Sequence, residues 1–374
     1  MLAETQIAVR DHVRNFAQAR IRPHSQAYEA AGAFPPDLFI GLADMGLLGM
    51  TAPEAFGGAG ADYVSYALAL IELAAADGAL STIVSIQNSL IVNGLARFGD
   101  AEQQRRFLPD LIAGRTIGAF ALTEPDAGSD ASAIRTRAEK VEGGWRLNGA
   151  KQFITSGRIA RLAIVFAVTD PSLGKKGISA FLVPTDRAGY IVDNIEHKLG
   201  QGASDTCAIR FEDLFLEDDL LLGAPGEGYK IALSNLEAGR IGIAAQSVGM
   251  ARAALELAVD YAKTRVSFGK PIIEHQAVGF RLADLATRLE AARLMVLAAA
   301  ERMDAGEPSL MQASMAKLFA SEVAEQVVSG AIQTLGGYGY LEAFGLAKIY
   351  RDVRVTQIYE GTSDIQRMVI ARAL

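Results

Sequence analysis

The spacing of apolar residues changes twice along this chain of 374 residues, and this limits the folds that it can adopt. The first part, from Leu2 to about Arg115, has the three- and four-residue spacing of helices. From Thr116 short apolar runs and glycine-rich turns replace it, which is typical of strands. After Gly226 the helical spacing returns, and it predicts long helices near Tyr229–Thr264, Gln276–Ala305, Ser309–Leu335 and Asp364–Ala373.

The middle part carries the signals expected of a sheet. Gly143-Gly144 and Asn148-Gly149 are dipeptides typical of hairpin turns. Arg161–Thr169 is a short apolar run, and residues from Cys207 to Phe211 alternate between apolar and polar, as in a strand with one buried face. The sequence therefore predicts helical parts on both sides of a β region.

Charge and composition argue against several classes of ligand. The formal net charge is -7, so we expect no basic face for nucleic acid. The single cysteine, Cys207, excludes an internal disulfide framework, and the four histidines show no spacing typical of a metal site. We expect neither nucleic acid nor a metal ion as a ligand, and a reducing compartment.

The N-terminal run MLAETQIAVRDHVR lacks the apolar core of a signal peptide. Apolar stretches such as Tyr66–Ala76 and Leu294–Ala300 are too short to span a membrane or are interrupted by charge, as at Glu72 and Arg293. We therefore expect a soluble, unprocessed, cytoplasmic protein that makes no membrane contact.

Short signatures of several common chemistries are missing from the sequence. It has no GxGxxG after a predicted strand, no GxxxxGK[ST] and no GxSxG. A Rossmann dehydrogenase, a P-loop enzyme and a serine hydrolase are therefore disfavoured. His275 and Cys207 lack the partner residues of a nucleophile or a ligand, and we interpret both as packing or surface residues.

Three loops carry unusual polar residues or glycines. Thr123–Asp130 begins with a proline-led turn and exposes backbone donors. Gln333–Gly339 ends a long helix with three glycines where one suffices, so a ligand or another chain can approach closely. Arg265–Lys270, with His275 and Gln276, is a basic and aromatic connection suited to a phosphate and a planar ring. Each loop alone is also compatible with an ordinary connection.

The YEGTS motif that contains Glu360 lies immediately before the last helical run. Ser363 and Gln366 have capping-box spacing, so we expect Glu360 just upstream of a helix start. Apolar Ile358 and Tyr359 beside it permit partial burial, and loss of solvent raises the pKa of a carboxyl group towards that of a useful base. We interpret Glu360 as the candidate base; an exposed loop glutamate is the alternative.

In this order, the segments ALTEPDAGSDASA, QTLGGYGYLEAFG and IYEGTSDIQR resemble the acyl-CoA dehydrogenase family, and the resemblance covers essentially the whole chain. It implies a mostly α fold with a β middle domain. The parts are an N-terminal α-helical domain at 1–116, a middle β-barrel-like domain at 117–226 and a C-terminal four-helix bundle at 227–374. It also implies FAD bound between them near a subunit interface of a homo-oligomer, commonly a tetramer.

The resemblance also implies which residues contact the flavin ring and the thioester end of the substrate. By position in the motifs, these are Phe120, Leu122, Thr123, Gly128, Ser129, Phe153, Ile154 and Thr155. Many relatives have Trp in place of Phe153. A phenylalanine keeps the stacking surface and loses the indole donor.

A second set of positions corresponds to the rest of the cofactor site. The resemblance implies that the ADP half is held by Arg265, Phe268 and Gln276. It is reached from a neighbouring subunit by Gln333, Gly336 and Gly337, and the residues that close over the cofactor are Thr362 and Ser363.

On the substrate side the resemblance implies contacts with acyl-CoA from Ser129, Arg240, Tyr359 and Gly361. The sequence departs from the family pattern at two positions. Glu237 replaces the usual Asp, and Gly202 stands where many relatives carry Arg or His. The details of CoA contact therefore do not follow from the family pattern.

The implied reaction is the α,β-dehydrogenation of an acyl-CoA thioester to the trans-2-enoyl-CoA. Glu360 takes the α proton, the flavin accepts the β hydride, and electrons pass to an electron-transfer flavoprotein. The charge that develops on the thioester oxygen needs fixed donors, which in the family are the backbone N–H at the Glu360 position and a ribityl hydroxyl of FAD.

Several alternatives remain at this stage. An acyl-CoA oxidase shares the fold and base but passes electrons to oxygen, and it is usually longer. Flavin monooxygenases on this scaffold usually lack the glutamate, and a non-enzymatic acyl-CoA-binding helical protein has no need of it. Glu237 is the competing base. The run STIVSIQNSL resembles short-chain members, while branched, medium-chain and aromatic acyl groups stay open.

Overall fold

The computed structural model describes residues 2–374. Helices occupy both ends of the chain and strands the middle. The helices are α1 Glu4–Phe16, α2 Ser25–Ala31, α3 Pro36–Asp44, α4 Tyr63–Ala76, α5 Gly78–Ile86, α6 Asn93–Phe98, α7 Ala101–Ile112, α8 Gly228–Thr264, α9 Gln276–Asp304, α10 Leu310–Leu335, α11 Leu346–Arg354 and α12 Ser363–Ala373. The strands are β1 Gly118–Ala121, β2 Arg137–Val141, β3 Gly144–Thr155, β4 Leu162–Val168, β5 Ile178–Pro184, β6 Tyr190–Ile195, β7 Thr206–Glu217, β8 Leu221–Leu222, β9 Val266–Ser267 and β10 Lys270–Pro271.

Side-chain caps set the starts of the N-terminal helices. Asp62 accepts a hydrogen bond from the Ser65 N–H at the start of α4, and Asp77 accepts one from the Leu80 N–H at the start of α5. Asp100 begins α7 in the same way, and each cap satisfies an N–H that has no partner inside the helix. These aspartates are short-range signals that the sequence already carries.

Eight strands of the middle part form one sheet. Its order is β6-β7-β3-β2-β4-β5-β8, and β1 lies parallel to β4. The predicted turn at Gly143-Gly144 joins β2 to β3, and Gly143 has a positive φ of 76°. The prediction of a turn at Asn148-Gly149 is wrong, because both residues lie inside β3 at a shift in its pairing with β7. A Cβ at Gly149 would lie 2.6 Å from the Thr136 hydroxyl, so glycine there permits a bulge.

The four long helices predicted in the C-terminal part are confirmed as α8, α9, α10 and α12. α10 packs against the other three, and α4 of the N-terminal part packs against α8. The sequence analysis did not anticipate α11, which lies between the triple-glycine segment and the YEGTS loop. Its nine residues, LAKIYRDVR, place Lys348 and Asp352 on one face at a spacing of four.

The buried apolar residues form two cores. One joins α1, α3, α4 and α5 to the long C-terminal helices, and the other joins the sheet to α6 and α7. The hydrophobic cores therefore cross the boundaries predicted at 116 and 226, which remain predictions. Among the described residues, one helical stretch, 78–98, is long and apolar enough to cross a membrane by composition, but 89% of its apolar window is buried inside the protein.

Candidate active site

Glu360 lies in a tight loop between α11 and α12. Its φ is 55° and that of Gly361 is 89°, so two successive residues have left-handed backbone. For glutamate this conformation costs free energy that the surrounding structure must offset. The predicted position before a helix start is confirmed. The N-cap, however, is Thr362, whose side chain accepts from the Ile365 N–H at 3.3 Å, and not Ser363.

The carboxylate of Glu360 rests on the backbone of α8. A Cβ at Gly239 would lie 2.5 Å from the Glu360 Oε2 atom, so glycine is what allows the approach. The expectation that Ile358 helps to bury Glu360 is wrong, because that side chain is 52% exposed. Helix α8 supplies the burial, and it could not be recognised as a neighbour from the local sequence.

The charge environment of Glu360 suits a base. Burial raises the pKa of Glu360 to about 7, and the positive charges of Arg240 and Lys317 oppose that rise. The Oε2 atom is buried and has no hydrogen-bond partner among the described residues. Arg240 is 5% exposed, and its Nε and Nη1 atoms also lack partners there. These atoms are free to bond a polar ligand.

Glu237, the competing base, faces a different neighbour. The Ser309 hydroxyl donates a hydrogen bond of 2.5 Å to its Oε1 atom. Residues two positions apart on a helix do not point in the same direction, so Glu237 cannot share the orientation of Gly239 on α8. The structure thus brings Glu360, Gly239 and Arg240 together. The Glu237 carboxylate instead accepts a hydrogen bond from Ser309, the residue before α10.

The neighbouring residue Tyr359 is held by buried polar side chains. Its hydroxyl donates to Gln246 of α8 and lies 3.4 Å from both Thr82 and Gln201. The main-chain N–H of Gln201 in turn bonds to the Asp352 carboxylate. No motif in the sequence singles out Gln201 or Gln246, and only the fold places them beside Tyr359.

The predicted flavin-ring residues lie in β1, in the loop that follows it and at the end of β3. The Gln152 N–H donates to the Thr123 carbonyl at 2.9 Å, which sets the Thr123 loop beside the end of β3. Buried Lys151 bonds the Leu122 carbonyl at 3.1 Å and the Glu124 carboxylate at 2.8 Å. This lysine–glutamate pair was not predicted from the sequence, and it holds the Thr123 loop through buried hydrogen bonds.

Within this group the side chains differ in exposure. Phe120 packs against Phe166 at 4.9 Å between ring centroids, while Phe153 has a φ of 60° and is 63% exposed. Leu122 and Ile154 are buried, Thr123 and Thr155 are half-buried, and Gly128 and Ser129 are exposed. An exposed aromatic ring such as that of Phe153 offers a stacking surface for a planar heterocycle.

The predicted ADP residues lie at the far ends of α8 and α10. Phe268 and Gly269 both have positive φ and form the turn of the β9–β10 hairpin, leaving Phe268 94% exposed. A cavity of about 400 Å³ is lined by Arg265, Gly336 and Gly337 of one chain. The other two predicted residues lie apart from this cavity. Gln333 lines a separate cavity of about 620 Å³, and Gln276 is exposed at the start of α9.

The residues present fit a flavin nucleotide. Gly337 has an ordinary φ and no atom within 4 Å of a Cβ placed on it, so nothing in this chain demands glycine there. The Ser363 hydroxyl beside Thr362 is buried and has no partner among the described residues. Exposed rings, an exposed arginine and free hydroxyl groups are what a ring and a pyrophosphate would use.

Gly202, where the family often has Arg or His, lies next to Glu29 of α2. A Cβ there would lie 3.3 Å from the Glu29 side chain. Glu29 already accepts a hydrogen bond from Arg351 at 3.1 Å. Gly202 therefore offers no charged group of its own to a ligand.

Comparison with protein-family models covers nearly the whole chain. Residues 3–115, 119–214 and 226–374 match the N-terminal, middle and C-terminal domains of acyl-CoA dehydrogenases. An acyl-CoA dehydrogenase of Bacillus subtilis is 46% identical over 373 residues, covering 100% of this chain and 98% of that protein. The human mitochondrial short-chain specific acyl-CoA dehydrogenase is 44% identical over 370 residues, covering 99% and 90%.

Solved structures agree with the family models. Butyryl-CoA dehydrogenase from Megasphaera elsdenii superposes with a TM-score of 0.97 at 40% identity, covering 100% of this chain and 98% of that one. A chain from a study of the electron transferring flavoprotein of Acidaminococcus fermentans gives 0.98 at 41% identity, with the same coverage. A Mycobacterium smegmatis glutaryl-CoA dehydrogenase in complex with FADH2 gives 0.95 at 33% identity, covering 100% and 95%.

These comparisons confirm the predicted fold class, a mostly α protein with a β middle domain. They also decide between an enzyme and a non-enzymatic helical protein, since the curated relatives with 42–46% identity are acyl-CoA dehydrogenases. The chain belongs to the acyl-CoA dehydrogenase family of flavoprotein oxidoreductases.

Proposed function

We propose that this protein catalyses the FAD-dependent α,β-dehydrogenation of a short-chain acyl-CoA to the trans-2-enoyl-CoA, with Glu360 as the base. The observation that carries the proposal is the Glu360 carboxylate. Its Oε2 atom is buried against Gly239 and has no partner among the described residues, and desolvation raises the pKa of Glu360 to about 7. A base whose pKa lies near the working pH combines a useful ionised fraction with strong proton affinity.

The protein must also stabilise charge on the thioester oxygen. The backbone N–H of Glu360 donates to no acceptor among the described residues, and it lies in a turn where Glu360 and Gly361 both have left-handed backbone. It is therefore available as one donor to that oxygen, on the same residue as the base. The positive charge of buried Arg240 favours the ionised form of Glu360. The Nε and Nη1 atoms of Arg240 have no partner among the described residues, so they are available to the substrate.

FAD is the cofactor that the residues fit. Phe120, Leu122, Thr123, Gly128, Ser129, Phe153, Ile154 and Thr155 would contact its ring, Arg265, Phe268, Gln276, Gln333, Gly336 and Gly337 its ADP half, and Thr362 and Ser363 would close over it. When bound, FAD supplies the two-electron acceptor for the hydride that leaves the β carbon. The chain's own part is to hold the α carbon against Glu360 and to exclude water from that carboxylate.

A short acyl group fits the packing behind Glu360. One helical turn along α8 from Gly239, Gly242 is covered by the Tyr66 hydroxyl and by Ser85, and Tyr66 is 1% exposed. These side chains fill the space over Gly242, and we propose that they limit the length of the acyl group. Two relatives support the same size class, since one is named for short chains and one for butyryl-CoA. Ser129, Arg240, Tyr359 and Gly361 would contact the acyl-CoA.

We further propose that electrons leave to an electron-transfer flavoprotein, supported by the neighbour from a study of such a protein. An oxidase that passes electrons to oxygen is the second candidate. We also propose that the protein is a homo-oligomer, a tetramer as is common in the family, and that it works in the cytoplasm. Oxygen uptake without an added acceptor separates the two candidates: rapid uptake would identify an oxidase.

The base is tested by anaerobic bleaching of the flavin with butyryl-CoA. Glu360→Gln keeps the side-chain shape and removes the proton acceptor, so we expect bleaching to slow by at least roughly 10³-fold. Glu237→Gln is the matched control on α8 and should bleach at a near wild-type rate, with FAD content measured for each protein. If Glu360→Gln bleaches normally and Glu237→Gln does not, the base is Glu237.

A turnover panel of straight and branched acyl-CoA esters tests the substrate class. We expect kcat/KM to be highest with four-carbon chains and to fall as the chain lengthens, because Tyr66 and Ser85 close the space behind Glu360. A maximum at eight carbons or more would contradict the short-chain proposal while leaving the base assignment intact.

A further inference from the structure

We propose that Lys317 of α10 is a positioning residue that holds the Glu360–Gly361 turn in its left-handed conformation and sets the basicity of Glu360. The inference rests on the proposed function, since it assigns a partner to the proposed base. It assigns a role to a lysine that no motif in the sequence singled out.

The geometry begins with an unusual burial. The Lys317 side chain is 0% exposed, and its Nζ atom donates a hydrogen bond of 2.7 Å to the Gly361 carbonyl. Gln366, also fully buried, donates to the same carbonyl at 2.9 Å and to the Glu360 carbonyl at 3.1 Å. Two buried donors on two helices thus bond the carbonyl groups of the two left-handed residues.

A hydrogen bond to a carbonyl does not by itself require a lysine. Gln366 performs that task without charge, and burying an ammonium group is costly unless an anion lies near it. The positive charge of Lys317 interacts with Glu360, and burial lowers the pKa of Lys317 to about 8. A charged lysine here stabilises the ionised form of Glu360, which is the form that accepts a proton.

The other charged and titratable groups around Glu360 are few. Arg240 on α8 also favours the ionised carboxylate, and Tyr66 on α4 and Tyr359 in the same loop are neutral hydroxyl groups affected by its charge. Glu237 on α8 and Glu322 on α10 act on Arg240 and Lys317 respectively. Arg240 and Lys317 are therefore the two cations that set the proton affinity of Glu360.

The variant Lys317→Met keeps the length and volume and removes both the charge and the donors. The acidic limb of the kcat/KM profile should then move to higher pH by about one unit, because an opposite charge nearby has been lost. In addition, kcat at the plateau should fall roughly 10- to 100-fold as the turn loosens and the carboxylate moves from its position. Lys317→Arg keeps the charge and should retain the wild-type limb.

Gln366→Leu removes the second donor without changing charge, so it should lower kcat and leave the acidic limb in place. Lys230→Met removes a surface lysine whose side chain is 71% exposed and should change neither property. This contrast separates loss of charge from loss of the hydrogen bond. If Lys317→Met does not fold, Lys317→Gln, which keeps a donor and removes the charge, should still move the acidic limb, and an unmoved limb would overturn the role of Lys317.

The experiment measures kcat/KM with butyryl-CoA from pH 5.5 to 9 for FAD-loaded wild type and these variants, with Glu360→Gln alongside. If Glu360→Gln is inactive and Lys317→Met shows the wild-type limb and plateau, the inference fails and the proposed function stands. If Glu360→Gln is active, the proposed function itself fails. A shifted limb in Lys317→Met, retained in Lys317→Arg, supports the inference.

Discussion

At the scale of single residues, the site depends on a glutamate in an unfavourable backbone conformation and a glycine facing it. Glu360 has a φ of 55°, and its carboxylate occupies the space that a side chain at Gly239 would take. The N–H and the Oε2 atom of Glu360 have no hydrogen-bond partner among the described residues. Neither feature stabilises the fold, which is typical of residues retained for function.

The first residue-scale prediction concerns Gly239→Ala. Alanine is favoured over glycine inside a helix by about 1 kcal/mol, and the atom it would meet, Glu360 Oε2, ends a flexible side chain that can move. We therefore expect unchanged or higher thermal stability together with a roughly 10²-fold lower kcat, because the carboxylate is displaced. Calorimetry and turnover on the same preparation check this, and normal kcat would show that Glu360 does not work from the observed position.

The second prediction follows from the pKa of Glu360, which is about 7 in the folded protein against an ordinary value of 4.5. Between these values the folded state binds a proton that the unfolded state does not, so the stability of the wild type falls as the pH rises through this window. Glu360→Gln lacks this loss. Its free energy of unfolding relative to wild type should therefore increase by up to about 3 kcal/mol between pH 4.5 and 8.

Urea unfolding at both pH values, at one fixed FAD concentration, measures that difference. All other titrating groups are common to the two proteins and cancel in the comparison. An identical pH dependence for wild type and Glu360→Gln would mean that the carboxyl group is not desolvated in the folded protein.

At the scale of elements, α8 makes the contacts that connect Glu360 to the N-terminal helices. Among its 37 residues, Gly239 faces the Glu360 loop, and Gly242 and Gly249 face the helices of the N-terminal part. Glu360 lies over the first of these glycines, Tyr66 and Ser85 over the second, and the main chain of α4 over the third. The same helix therefore contacts the proposed base and the residues next to it, and it joins two parts of the chain.

The element-scale prediction is that Gly249→Ala behaves oppositely to Gly239→Ala. A Cβ at Gly249 would overlap the main-chain carbonyl oxygen of Ile71, which cannot rotate away. α4 and α8 would have to separate, at a typical cost of about 1–3 kcal/mol. Thermal unfolding should show the loss, while kcat of the folded, FAD-loaded fraction stays near wild type. A stable but inactive Gly249→Ala would show that strain reaches the site.

At the scale of the whole molecule, a buried polar network joins the three parts of the chain. Lys348 of α11 lies 2.5 Å from Asp352 and 3.2 Å from Asp77 at the start of α5. Asp352 accepts from the Gln201 N–H, and Gln201 reaches Tyr359 beside the base. Because buried charges are costly unless paired, this network favours one arrangement of the parts around Glu360.

The outer surface of the molecule carries the last prediction. Phe268 is 94% exposed, Tyr340 84% and Phe280 64%. Phe268 and Tyr340 are adjacent in sequence to Ser267 and Leu341, which line the same cavity as Arg265, Gly336 and Gly337. Exposed aromatic residues of this kind are enriched at protein interfaces. We expect light scattering to give the mass of a homo-oligomer, and Phe280→Glu to shift it towards smaller species and reduce FAD content. A flavin-loaded wild-type monomer would contradict this.

The sequence by itself determined the elements and the local chemistry. Helical spacing, the aspartate caps and the YEGTS loop are short-range patterns, so the long helices and the place of Glu360 before α12 followed from them. The turn expected at Asn148-Gly149 failed because a glycine at a bulge and one at a hairpin look alike over two residues. Helix α11 was not predicted, because it is short and directly follows a segment rich in glycine.

Only the tertiary structure decided what surrounds the base. Gly239 and Lys317 lie 121 and 43 positions away from Glu360 along the chain, and their approach depends on how α8 and α10 pack. Burial, and with it the raised pKa of Glu360, is a property of that packing and not of the flanking Ile358, which is exposed. Desolvation sums over neighbours from distant segments, so no window of sequence around Glu360 contains it.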